Sequence, residues 1–135
     1  MALKASQLKV GDTYTECLVE DLKRTQIVMY AGTSGDYNPL HTDEIYTMQV
    51  AKYPSVFAHG MLTMGMTGRM LTNYVGDGRL TKYGVRFTSQ VWPGDTLHST
   101  ATVESVGSGL VNLTVETRNQ NDVVVLSGYA AARVD

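Results

Sequence analysis

Cysteine is nearly absent from this chain of 135 residues: Cys17 stands alone. A single cysteine excludes an internal disulfide and any zinc site built on a cysteine cluster. It suits a reducing compartment. Charge is scarce as well. Asp, Glu, Lys and Arg make up 18% of the residues, and the formal net charge is −2. Bulk electrostatics therefore offer no grip on nucleic acid or on an anionic membrane. No apolar run approaches the roughly 18 residues that a membrane span needs. Residues 1–12 lack the apolar core of a signal peptide. Repeats, low-complexity tracts and linkers are missing, and no glycine cluster has GxGxxG or Walker spacing. Hydrophobic residues, at 43%, are enough for one compact interior. The expectation is one domain over residues 1–135, cytoplasmic, with so little charge that part of its surface is hidden in an oligomer.

Residues 24–75 read mostly as helix and loop, and residues 80–134 as strand after strand. Tyr14 to Val19 is a first strand. Thr25 can cap a short helix through Ile27, Val28, Tyr30 and Ala31, which Gly32 and Ser34-Gly35-Asp36 would end. Thr42 or Asp43 can cap a second helix, from about Glu44 to Lys52. Residues 60–75 form the clearest helix. Met61, Leu62, Met64, Met66, Met70, Leu71, Tyr74 and Val75 cover most of its circumference, the mark of a buried helix. Gly65 and Gly68 fit there if another backbone packs closely. Strands follow at Leu80–Val91, Leu97–Val106, from Val111, and at Val123–Val134. The turns between them, Pro93-Gly94-Asp95, Gly107-Ser108-Gly109 and Asn119 to Asp122, are short, which predicts antiparallel neighbours. The sum is an α+β fold, a curved antiparallel sheet around one buried helix.

The segment from Tyr30 to His41 places Asp36, Asn38 and His41 within six residues. On a continuous helix Asp36 and His41 would lie about 140° apart. They can converge only because Asn38-Pro39 interrupts the helix. A carboxylate and an imidazole brought together can hold a water and move its protons. A capped turn is the competing reading, with Asp36 and Asn38 satisfying local amides and His41 on the surface. Gly60 follows His59 at the start of the long helix, where free N–H groups and positive potential face outward. Its amide could stabilise charge on a carbonyl oxygen, or the glycine could simply relieve crowding. His59 reads as a helix-start or packing residue. Asp36, His41, Asp43 and His59 carry metal-ligand atoms but lack ligand spacing, so no metal site is expected. Ser34 has no nucleophile-elbow sequence around it. His98 falls on the polar side of its strand. Arg86 and Lys82 could meet phosphate or stay solvated.

These residues carry a resemblance. Asp36-Tyr37-Asn38-Pro39-Leu40-His41 resembles the Asp-x-Asn-Pro-x-His motif of the MaoC-like, (R)-specific enoyl-CoA hydratases. His59-Gly60-Met61-Leu62 resembles the second signature of that family. Tyr83-Gly84-Val85-Arg86-Phe87 and Trp92-Pro93-Gly94-Asp95 resemble its later strand and turn. Residues 60–65 are most similar to the catalytic subunit of (3R)-hydroxyacyl-carrier-protein dehydratases. The resemblance implies a hot-dog fold and a homodimer or larger even oligomer, or else the catalytic half of a heterodimer. The implied chemistry is reversible hydration of a trans-2-enoyl thioester of CoA or a carrier protein, giving the (3R)-3-hydroxyacyl thioester, without metal or redox cofactor. By position, Asp36 and His41 would hold the water, the Gly60 N–H would bind the thioester oxygen, and Asn38 and His59 would support them. Some members carry a serine where Gly65 stands here. A hot-dog thioesterase is the alternative, although residues 60–75 lack the acid such enzymes usually place there. A non-catalytic, pocket-shaping subunit is a third reading, against which the Asp36–His41 pair argues.

Overall fold

A computed structural model describes residues 3–135; Met1 and Ala2, at the head of the segment read above for a signal peptide, lie outside the described residues. The order is β1 (Thr13–Val19), α1 (Arg24–Ser34), a 3₁₀ turn (Pro39–His41), α2 (Glu44–Gln49), α3 (Gly60–Val75), β2 (Leu80–Phe87), β3 (Leu97–Gly107), β4 (Leu110–Arg118) and β5 (Val124–Arg133). The five strands form one antiparallel sheet in the order β1-β3-β4-β5-β2. Alternation decides which face is buried. Leu97, Ser99, Ala101 and Val103 point inward from β3, and Val111, Leu113, Val115 and Thr117 from β4. They meet Thr63, Thr67, Met70, Leu71 and Val75 on one side of α3. This is the α+β arrangement expected from the pattern.

A short line of hydroxyls crosses that core. Thr67 Oγ1 lies 2.8 Å from Thr117 Oγ1, which donates to Ser99 Oγ at 3.0 Å, and Ser99 donates to the Glu116 carbonyl at 3.3 Å. All three side chains are fully buried, so each depends on the others for its hydrogen bond.

Several expectations need correction. β2 and β3 are not neighbours: β2 ends at Phe87, not Val91, and pairs with β5. The chain then leaves the sheet. The Val91 carbonyl accepts from the Ala58 amide at 2.8 Å. The turn at residues 92–95 docks on the β1–α1 loop, through Gly94 N–H to Leu22 O at 2.7 Å and Leu22 N–H to Asp95 O at 2.9 Å. That tight turn serves a crossover to the far side of the sheet. α1 starts after Lys23, whose amide is taken by Gln26 Oε1 at 3.0 Å, so Thr25 is inside the helix. It runs through Gly32 and stops at Gly35, which adopts the left-handed conformation at φ 77°. α2 is capped by Asp43, which accepts from Tyr46 N–H at 3.0 Å, and ends at Gln49, short of Lys52. α3 has the expected bounds, but it is not covered all round, since Met61 is 55% exposed. Gly68 packs against the Tyr83 ring, 3.2 Å from where a Cβ would stand, and no backbone crowds it. A Cβ at Gly65 would meet nothing within 4 Å beyond its own helix backbone and chain neighbours among the described residues.

Candidate active site

The loop after α1 is a chain of side-chain caps. Ser34 Oγ accepts from the Asp36 amide at 3.2 Å, and Asp36 Oδ1 from the Asn38 amide at 3.3 Å. Asn38 Oδ1 then accepts from the Leu40 amide at 3.0 Å and caps the 3₁₀ turn that Pro39 opens. Asp and Asn suit this duty because their short side chains reach an amide two residues on. The local turn and the convergence of Asp36 with His41 therefore come from the same residues. The capped-turn reading describes how the loop is built.

His41 is half-buried at the end of that turn. Its Nδ1 donates to the Phe57 carbonyl at 2.7 Å, which leaves Nε2 as an acceptor. Burial holds His41 below its ordinary imidazole range. The His59 ring adds to the lowering, against the opposing pull of the Phe57 carbonyl and the Asp36 carboxylate. His41 is therefore neutral at pH 7. His59, 2% exposed, lies flat on it with ring centroids 3.8 Å apart. Its Nε2 donates to the Asp36 carbonyl at 3.0 Å, and the Tyr30 ring packs against it in a T-shaped contact. His59 thus ties the start of α3 to the Asp36 backbone while walling in His41.

A side-chain oxygen of Asp36 and a ring nitrogen from each histidine lie within 4.8 Å of one another. The structure brings Asp36, His41 and His59 together and leaves Asp43 out, occupied at the cap of α2. Each ring spends one nitrogen on a carbonyl and keeps the other as an acceptor beside the Asp36 carboxylate. A carboxylate beside a neutral imidazole with a free acceptor nitrogen is a set that can take up and pass on a proton.

Gly60 is the first residue of α3. Among the described residues no group accepts its N–H. It borders a cleft of about 300 Å³ together with Phe57, Thr63, Phe87, Gln90 and Val91. A Cβ at Gly60 would stand 2.9 Å from the Phe87 ring, so any larger residue there must displace that ring. A larger hollow, about 830 Å³, lies over the strands near Arg86, Thr100, Thr114 and Tyr129. Neither hollow is lined by Asp36, His41 or His59, but the smaller cleft adjoins them through Phe57, whose carbonyl holds His41, and through Gly60, which follows His59. His98 is exposed on β3, and Lys82 and Arg86 are exposed on β2. Sequence reasoning missed the Phe57 carbonyl, which fixes the His41 tautomer, because a backbone contact has no residue-type signature. It also passed over Thr63, a polar residue one turn into an apolar helix.

Comparison with known proteins defines the class. The MaoC like domain family matches residues 6–125, and the chain belongs to that family, with the hot-dog fold of its solved neighbours. It is 35% identical over 89 residues to 3-hydroxyacyl-thioester dehydratase Y of Mycobacterium tuberculosis, covering 64% of this chain and 31% of that one. It is 31% identical over 133 residues to the mitochondrial 3-hydroxyacyl-[acyl-carrier-protein] dehydratase of Arabidopsis thaliana, covering 93% and 76%. The (R)-hydratase PhaJ1 of Pseudomonas aeruginosa superposes with a TM-score of 0.83 at 26% identity, over 98% of this chain and 86% of that one. The chain spans about a third or less of the length of several curated relatives it matches. No described helix is long and apolar enough to cross a membrane.

Proposed function

We propose that the chain is an (R)-specific hydratase, a hydro-lyase that reversibly adds water to a trans-2-enoyl thioester of CoA or a carrier protein. The observation that carries this reading is the approach of the Asp36 carboxylate to the His41 ring, beside a cleft bordered by Gly60, whose N–H has no partner among the described residues. Relatives named as hydratases and dehydratases support it.

Asp36 and His41 Nε2 both accept hydrogen bonds, so together they hold one water by its two protons. As its oxygen bonds to C3, the C2=C3 electrons shift through C1 onto the thioester oxygen. The Gly60 N–H stabilises that oxygen as it becomes an enolate. The proton taken from water stays on the pair and passes to C2, leaving OH on C3 and H on C2. No cofactor is needed to balance the step. Asn38 holds the turn, and His59 holds the Asp36 backbone and the His41 ring. The same reading includes a homodimer, or a heterodimer in which this chain is catalytic, supported by the free sheet edges β1 and β2. It also includes a cytoplasmic setting, supported by the exposed, unbridged Cys17.

Incubation with trans-2-butenoyl-CoA tests the reaction. The conjugated absorbance should disappear without release of free thiol, and chiral analysis should find the 3R alcohol. Stoichiometric thiol release with no hydroxy product would make the protein a thioesterase. A 3S product would break the stereochemical assignment.

A further inference from the structure

Among the described residues two buried side-chain atoms have no hydrogen-bond partner, His59 Nδ1 and Thr63 Oγ1. Thr63 is 2% exposed and lines the same cleft as Gly60. A threonine inside a helix ordinarily turns its hydroxyl back onto a carbonyl three or four residues earlier. Thr63 does not. The His59 carbonyl, four residues back, accepts the amides of Leu62 and Thr63 at 3.1 and 3.4 Å, and the hydroxyl bonds to nothing. An orphaned buried hydroxyl calls for an explanation.

The geometry of the helix supplies one. Helical side chains lean toward the N-terminus, so residue i+3 leans toward the amide of residue i. The capping box uses this relation: a glutamate three residues on reaches back and satisfies the amide. Thr63 is likewise three residues on from Gly60, but Gly60 is the first helical residue rather than the N-cap, and the Thr63 hydroxyl makes no bond to its amide. Two donors without a partner, the Gly60 N–H and the Thr63 O–H, thus belong to residues that border one cleft. One oxygen can accept from both. The Phe87 ring, packed against Gly60 and 50% exposed, can swing aside as a thioester enters. The second helical rotamer of threonine then turns the hydroxyl to the cleft.

We infer that Thr63 Oγ–H is a second donor to the thioester oxygen, forming with the Gly60 N–H a two-donor site for the enolate. This rests on the hydratase reading above for its reaction, but not for its hydrogen bond. The hydroxyl keeps its proton; it only shares it with the oxygen on which negative charge collects. Thr63 would be a catalytic residue drawn from the buried face of α3.

The test compares Thr63→Val, which keeps the shape and loses the hydroxyl, with Thr63→Ser, which keeps the hydroxyl. Thr63→Ala serves as a second deletion if the valine variant does not fold. One readout is the carbonyl stretch of bound butyryl-CoA labelled with ¹³C at C1, which falls as its oxygen accepts hydrogen bonds. The other is hydration of trans-2-butenoyl-CoA. The wild type and Thr63→Ser should show the lowered stretch, and Thr63→Val should lose part of it. In Thr63→Val kcat should drop about 10²-fold, the usual cost of one such donor, with KM little changed. Equal carbonyl stretches in folded Thr63→Val and wild type overturn the inference. So does equal impairment of the serine and valine variants. A changed titration of the His59 ring with an unchanged carbonyl would assign the hydroxyl to His59 and also overturn it. A stretch that depends on Thr63 in a wild type that does not hydrate would leave the donor site standing and sink the hydratase reading. Failure of the wild type to bind the thioester at all would sink both.

Discussion

At the scale of single residues, the proposed mechanism divides the site between groups that meet the reacting water and groups that aim them. Asp36→Asn and His41→Ala should each lower kcat by about 10²–10⁴, the usual worth of a general acid–base group. Both act on one water, so the double variant should be little worse than either single one. Near-normal turnover in either would remove that residue from the mechanism. The pH dependence follows from the lowered pKa of His41, whose ordinary value is 6.5. Only the neutral ring offers Nε2 to the water. Activity should therefore hold through neutral pH and fall in acid with a midpoint below 6.5, read from kcat/KM. A midpoint above 6.5 would contradict burial as the controlling influence. These residues were legible in the sequence because their types and spacing are tied to a turn that Asn38-Pro39 must make. The stacking of His59 on His41 was not, since ring contact depends on where two separate loops meet.

At the scale of elements, α3 places its first residue at the cleft and buries its middle against the sheet. A methyl at Gly60 would press on the Phe87 ring. Gly60→Ala should therefore lose turnover by steric blockage, and Gly60→Ala with Phe87→Ala should recover part of it. Gly60→Pro removes the N–H at a helix position that tolerates proline, and should lose more than Gly60→Ala. Full activity in a folded Gly60→Pro protein would place the oxyanion elsewhere. The middle of α3 makes a separate prediction. Thr117→Val leaves Thr67 and Ser99 without their shared partner, at a cost of about 1–3 kcal/mol, measurable by urea unfolding. A stability change within error would mean the core rearranges around the loss. The bounds of α3 could be read because helical apolar spacing is sustained from Met61 to Val75 and a glycine stands at each end. Its exposed side could not: periodicity reports how much of a helix is apolar, not how much the rest of the chain covers.

At the scale of the whole molecule, β1 and β2 are the open edges of the sheet, and unpaired edges invite pairing with another copy. Met61, at 55% exposed, and Phe87, at 50%, add apolar surface beside the site. Light scattering should give a dimer or larger even assembly, and a monodisperse, active monomer would refute it. The alternation of β3 and β4 made the sheet readable, and short loops gave the β3–β4 and β4–β5 pairings. The same rule misplaced β2, because a tight turn at Pro93-Gly94-Asp95 says how the chain bends, not which strand it meets. Its contacts with Leu22 are long-range and leave no local trace.

That misplaced strand also bears on how the protein is made. Leu80 pairs with Ala132 and Phe87 with Leu126, so β2 has no partner until the last strand has been synthesised. Until then the growing chain carries a methionine-rich helix with an unfinished sheet to lie on. Pairing between strands so far apart in sequence is slow and leaves apolar surface open in the meantime. The site sits between that late strand and the early loop of Asp36 and His41, so acid–base chemistry should be among the last properties a newly synthesised chain acquires, well after its helices have formed.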